Sequence, residues 1–126
     1  MPYSINYDEV GIIRLVYQGR ADLRDMKEVI AYGVALAIEK DCFRVLSDFR
    51  AMNLQLSVAE LFSIPLNQIS QSQELKVPYF KFRRAVVVPE AEFRNYKFVE
   101  TVAVNRSHQL NIFLDMEDAM SWLLEK

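Results

Sequence analysis

The 126-residue chain is short of the residues from which most catalytic and metal centres are built: one cysteine, one histidine, one tryptophan, three glycines. A lone Cys42 excludes an internal disulfide and suits a reducing compartment. The three glycines are scattered, which excludes a GxGxxG fingerprint, a P-loop or any other glycine-rich phosphate cradle. His108, in "NRSHQLN", has no second His or Cys for a metal site and no serine partner at motif spacing. No metal, cofactor or catalytic residue is expected. No apolar run approaches the length of a bilayer span. The opening "MPYSINYDEVG" lacks the basic start and apolar core of a signal peptide, so a cytoplasmic protein is expected. The formal charge of −2 and pI of about 5.4 disfavour whole-surface binding to nucleic acid or anionic lipid.

What is present is ordinary globular composition, 52% hydrophobic and 25% charged. At this length, folding buries about two-thirds of the chain's surface, enough for a core without staples. "YSINYDE" alternates weakly, and "VGIIRLVYQG" is rich in β-branched and aromatic residues. Together they predict strands at about 3–8 and 11–18, joined near Glu9–Gly11 as an antiparallel hairpin, with Gly19 ending the second strand. Asp22 caps a helix over 23–40, with Leu23, Met26, Ile30, Val34, Ala37 and Ile38 on its apolar face. Gly33 within it suits close packing on a sheet. "CFRVLSDF" predicts a third strand at about 43–49, followed by a loop.

A second helix starts at Ser57 and breaks before Pro65, with "PLNQISQSQE" restarting behind that proline. "RRAVVV" predicts a fourth strand buried on both faces and ended by Pro89. A third helix follows over about 90–106, with Phe93, Tyr96, Val99, Val102 and Ala103 on one face. "QLNIFL" is the fifth strand. Asp115 then caps a last helix, "MEDAMSWLLEK", with Glu117 and Asp118 in its first turn, where they suit the helix dipole. The order ββαβαβαβα, with no repeat or linker, predicts a single domain over 1–126. Its sheet is α/β, mixed and mostly parallel, with five strands and right-handed crossovers.

Three stretches resemble the STAS superfamily (sulfate transporter and anti-sigma factor antagonist) in its SpoIIAA-like branch. "GIIRLVYQGRADLRDM" is similar to that family's second strand, glycine and first-helix entry. "FRVLSDFRAM" is similar to its third strand, which ends in aspartate. "LNIFLDMEDAMSWL" is similar to its closing strand, Asp, acidic turn and Ala-Trp-Leu helix. The resemblance covers nearly the whole chain in element order. It implies helices mainly on one face of the sheet and a non-enzymatic module that binds a protein partner or a small ligand. It also implies a phosphorylatable serine at the start of the second helix, within an Asp-Ser-Ser-Gly-like turn. This chain departs from that turn: Asn53 stands near the family's Asp, Leu54 and Gln55 replace the serines and glycine, and Ser57 comes two or three positions late.

The candidate site residues fall in two stretches. Asp48 lies at the expected end of a parallel strand, where open α/β sheets bind ligands, or else organises the following loop and pairs with Arg50. Ser57-Val58-Ala59-Glu60 matches a capping box, which accounts for Ser57 as a cap, while a phosphate at that helix start is also electrostatically compatible. Arg50, Asn53 and Ser57 would join Asp48 as partner-binding residues. In "KVPYFKFRRA", Phe80 and Phe82 face one way in an extended chain, and Lys81 and Arg83 the other. Tyr79, Phe80, Lys81 and Phe82 are either core aromatics beside solvated cations or the mouth of a pocket.

Two functions follow. One is a regulatory module binding a protein partner through the loop and helix after the third strand. The alternative is a binder of a lipid or small apolar ligand beneath residues 54–82, lined by Leu54, Leu56, Leu61, Phe62 and Ile64. The hairpin edge or the second helix could also support a homodimer.

Overall fold

The computed structural model describes residues 3–57, 59–60, 63, 82–104 and 109–125. Strands β1 (Tyr3–Asp8), β2 (Ile12–Ala21), β3 (Arg44–Leu54), β4 (Arg83–Val87) and β5 (Gln109–Phe113) form one sheet in sequence order. Only β1–β2 is antiparallel; β2–β3, β3–β4 and β4–β5 are parallel. Helices α1 (Leu23–Lys40), α2 (Phe93–Val104) and α3 (Met116–Leu123) connect or follow the strands, with a short 3-10 turn at Glu90–Glu92 leading into α2. The mixed sheet with an antiparallel hairpin is the architecture expected from the sequence.

The hairpin turns where Gly11, at φ 86, donates its amide to the Asp8 carbonyl at 2.9 Å. That backbone conformation is costly for any residue carrying a Cβ. Helix α1 runs over the expected 23–40, and its cap is reciprocal. The Asp25 amide donates to Asp22 Oδ1 at 3.0 Å, and the Asp22 amide donates to Asp25 Oδ2 at 2.9 Å. Two of the four orphan amides at the helix start are thereby satisfied. The Cys42 thiol is buried and donates to the Gly11 carbonyl at 3.2 Å, as a small packed residue. Gly33 does not mark a close approach: a Cβ there would meet nothing within 4 Å.

Alternation along the strands divides the core in two. On one face Leu15, Tyr17, Phe49, Val86, Leu110 and Ile112 pack under Met26 and Val29 of α1 and Tyr96 of α2. The same face continues at Ile13, Val45 and Phe82 beneath Val34 and Ala37. On the other face Ile12, Leu46, Ala85 and Val87 meet Ala119 and Leu123 of α3, with Phe113, Met116, Met120 and Trp122 at the margin. Eight residues are too few for a stable isolated helix. Docking supplies what length does not. Asp115 Oδ1 accepts the Glu117 amide at 2.7 Å at the N-terminus. At the C-terminus Arg83 lies 4.0 Å from the Trp122 ring centroid and donates to the Trp122 carbonyl from Nη2 at 2.6 Å. A cation on terminal carbonyls is favoured by the helix dipole.

Strand β3 corrects the sequence reading. It was expected to end at residue 49 and instead pairs with β2 as far as Ala21↔Leu54. Likewise β2 continues past Gly19, which adopts φ 84 opposite Met52. Between Val16↔Asp48 and Gln18↔Ala51 one residue lies on β2 but two, Phe49 and Arg50, lie on β3. This bulge shifts the alternation by one. Phe49 and Met52, three apart, therefore both enter the α1-side core at 6% exposure each.

Two outcomes are expected from urea unfolding. Met52→Ala should cost about 2–4 kcal/mol and Ala51→Lys less than about 0.5 kcal/mol, the reverse of what unbroken alternation from Phe49 would require. Gly33→Ala should raise stability by about 0.5–1 kcal/mol, because helix propensity improves and nothing is displaced.

Candidate functional site

Helix α3 is too short to cover its whole face of the sheet. The register sets Asp8, Arg14 and Asp48 on that same face, beyond the helix, because Asp8 opposes Ile12 and Val16 opposes Asp48. A row of alternating charge results. Arg14 Nη2 pairs with Asp8 Oδ2 at 3.1 Å. Arg50 grips Asp48 with two bonds, Nε to Oδ1 and Nη2 to Oδ2, both 2.9 Å, and its amide also donates to Oδ1 at 3.2 Å. The charges of Arg14 on Asp48 and of Asp115 on Arg50 link the pairs.

The Arg50 guanidinium holds the Asp48 carboxyl below the usual carboxylate range, with partial burial opposing it. Asp8 is lowered mainly by the Val10 amide and then by Arg14. Both carboxylates are thus ionised at neutral pH, which suits recognition of a charged or polar surface and not proton transfer. Among the described residues, no three His, Cys, Asp or Glu side chains converge to hold a metal ion. No helix there is long and apolar enough to cross a membrane.

Pairing of β3 with β4 stops at Asp48↔Val87, whereas β2 and β3 stay paired to Leu54. Among the described residues a two-stranded ribbon, Gln18–Ala21 against Ala51–Leu54, therefore extends past the rest of the sheet. Its exposed polar groups include Gln18, Arg20, Asn53 and Gln55, with Gln55 Nε2 donating to Asn53 Oδ1 at 2.8 Å. The Gln55 amide closes onto the Ala21 carbonyl at 2.7 Å. Immediately beyond, the Glu60 amide donates to Ser57 Oγ at 3.1 Å and the Ser57 amide to Glu60 Oε1 at 2.9 Å. The capping box anticipated at Ser57 is formed.

The sequence-selected residues thus lie along one path. Asp48 and Arg50 are brought together, while Asn53 and Ser57 follow on the ribbon and just past it. Tyr79, Phe80 and Lys81, most of the segment beneath the apolar-ligand reading, and His108 lie outside the described residues. Phe82 is buried in the core, its ring edge-on to Phe43 at 5.1 Å. Asp8, Arg14 and Asp115 were missed as parts of the charge row. The hairpin register was the available signal: a turn centred on residues 9–11 sets Asp8 and Arg14 on one face.

Comparison with solved structures places the architecture. The fold is SpoIIAA-like. It is similar to an uncharacterised DUF3478-family protein with a SpoIIAA-like fold from Shewanella loihica PV-4, at TM-score 0.56 and 14% identity over 96% of this chain and 91% of that one. It is also similar to the anti-sigma factor antagonist SpoIIAA in its unphosphorylated form, at TM-score 0.53 and 10% identity over 96% of both chains. No family model and no curated protein sequence matches the chain.

Because the Asp48 pKa is lower folded than unfolded, its ionised pair adds stability above about pH 4 and loses it as pH falls through the folded value. Asp48→Asn should therefore melt below wild type at pH 7, with the gap closing below about pH 4. Thermal melts across pH read this directly.

Proposed function

We propose that the chain is a non-catalytic regulatory module that binds a protein partner through the β2–β3 ribbon, the Asp48–Arg50 pair and the turn capped by Ser57. The observation that carries this reading is the ribbon, which projects exposed polar side chains past the end of β4. The likeness to SpoIIAA supports it, since an anti-sigma factor antagonist acts on another protein. Ordered backbone flanked by Arg50, Asn53 and Gln55 gives a partner fixed hydrogen-bonding groups at little entropic cost. Phosphorylation is not part of the reading. Ser57 already serves its helix, and a phosphate there would face the Glu60 carboxylate that now accepts the Ser57 amide.

The test is affinity capture by the full chain from cells that encode it, with captured proteins identified by mass spectrometry. One protein should be retained by wild type and by Arg24→Glu, on exposed α1, and lost by Arg50→Glu and Asn53→Arg. Capture that survives both ribbon variants would refute the reading. Native mass spectra showing a co-purified lipid would favour the alternative, an apolar ligand beneath residues 54–82.

A further inference from the structure

The sheet has two edges, and the molecule treats them differently. At the β5 edge the Ile112 amide donates to Glu100 Oε2 at 2.7 Å, and Lys97 holds that carboxylate at 3.1 Å. A side chain from α2 thus occupies a ladder position that an incoming strand would need. At the β1 edge the Asp8 carbonyl points to β2, because it accepts the Gly11 amide. Backbone groups alternate in direction, so those of Ser4, Asn6 and Asp8 face β2 and those of Tyr3, Ile5 and Tyr7 face outward. Among the described residues no side chain covers these outward groups. From Tyr3 to Tyr7 the strand carries no charge, proline or bulge, the usual protections of an exposed edge.

We propose that β1 is the seam of a two-fold symmetric homodimer, pairing antiparallel with β1 of a second copy in a register centred on Ile5. This reading is independent of the partner-binding proposal. A two-fold interface must complement itself, and Tyr3-Ser4-Ile5-Asn6-Tyr7 reads the same by residue class in either direction. The register sets Ile5 opposite Ile5 and Tyr3 opposite the second copy's Tyr7 on the helix side. Ser4 meets Asn6 on the other. All three outward residues then pair with outward residues, exchanging six hydrogen bonds by the antiparallel pattern.

Helix α1 extends the complementarity. It packs over both β1 and β2 and runs parallel to β1. Tyr32 lies 6.2 Å from Tyr3, and the Lys40 ammonium lies 5.8 Å from the Tyr7 ring centroid. Eight helical residues rise about 12 Å and four strand residues about 13 Å, so helix and strand keep level. Leu36 therefore stands beside Ile5, both packed on the same core cluster. Symmetry brings Leu36 against Leu36 and carries Lys40 of one copy to the end where the other presents Tyr3, Tyr32 and Glu28. The Glu28 charge already reaches Tyr3 within one chain. A cation meeting two rings and a carboxylate is favourable chemistry that an unrelated peptide would have to imitate. The two α1 axes would lie about two strand spacings apart, roughly 10 Å, a normal helix-packing distance.

Sedimentation equilibrium of the full chain, with hydrogen exchange of β1 amides, tests the seam. Wild type should sediment at twice 14.7 kDa, with the Tyr3, Ile5 and Tyr7 amides protected. Tyr7→Pro deletes an outward amide that β2 does not use, a position an edge strand tolerates. It should yield a monomer with unchanged far-UV circular dichroism. Lys40→Glu should weaken dimerisation on the order of tenfold, as two symmetry-related exposed pairs turn repulsive, and adding Glu28→Lys should restore it. A monomeric wild type overturns the proposal, and one that takes an extended peptide along β1 does so in favour of heterologous strand addition. Dimers with freely exchanging Tyr3, Ile5 and Tyr7 amides also overturn it, whether or not Tyr7→Pro folds.

Discussion

Phe49 and Met52 are three residues apart and enter the same core, which a regular strand forbids. The extra residue in β3 that permits this governs much of what surrounds it. Before the bulge, alternation sends Leu46 and Asp48 to the α3 face and Val45 and Ser47 to the α1 face. After it, Met52 rejoins the α1-side core. The chain can therefore continue along β2 to Leu54 without burying Asn53 or exposing Met52. Bulges bend strands and increase local twist, and this one sits where β3 parts from β4. The projecting ribbon and the grip of Arg50 on Asp48 both arise at that point.

The second organising fact is the imbalance between faces. Among the described residues, helices of 18 and 12 residues cover one side of the sheet and one of eight residues the other. The short helix covers Leu46, Ala85 and Val87 and leaves the β1–β2–β3 quarter to Asp8, Arg14 and Asp48. Ion pairing makes that exposure inexpensive, since each carboxylate there has an arginine. Surface pairs of this kind contribute little to stability. Their effect is to keep an open sheet face charged, hydrated and ordered.

Local rules were the legible part of the sequence. Helix α1 occupies its predicted span because periodicity and an aspartate cap agree, and the Ser57–Glu60 box and the Asp115 cap form as their spacing implies. The strand order and the ending "LNIFLDMEDAMSWL" carried enough pattern to indicate a SpoIIAA-like fold. The length of β3 was not legible. A bulge erases the period on which strand prediction depends, so "RAMNL" reads as a loop although its backbone is paired from Ala51 to Leu54. Phe82 carried two readings, core aromatic or pocket mouth. Sequence spacing alone left both open, and the structure buries the ring in the core beneath α1. The Asp8–Arg14–Asp48 row joins three strands and has no signature in any one of them.

The carboxylate on the Ile112 amide has a consequence for how far self-association can run. A sheet with two free edges has a valence of two and polymerises; a sheet with one has a valence of one and terminates. Glu100, held in place by Lys97 from the same helix, and Asn111 Oδ1 both accept that amide and remove one valence. Removing that carboxylate by mutation would weaken the hold on the amide and expose a second edge to strand pairing. The difference between a closed pair and an open filament would then rest on the side chains that hold one edge amide.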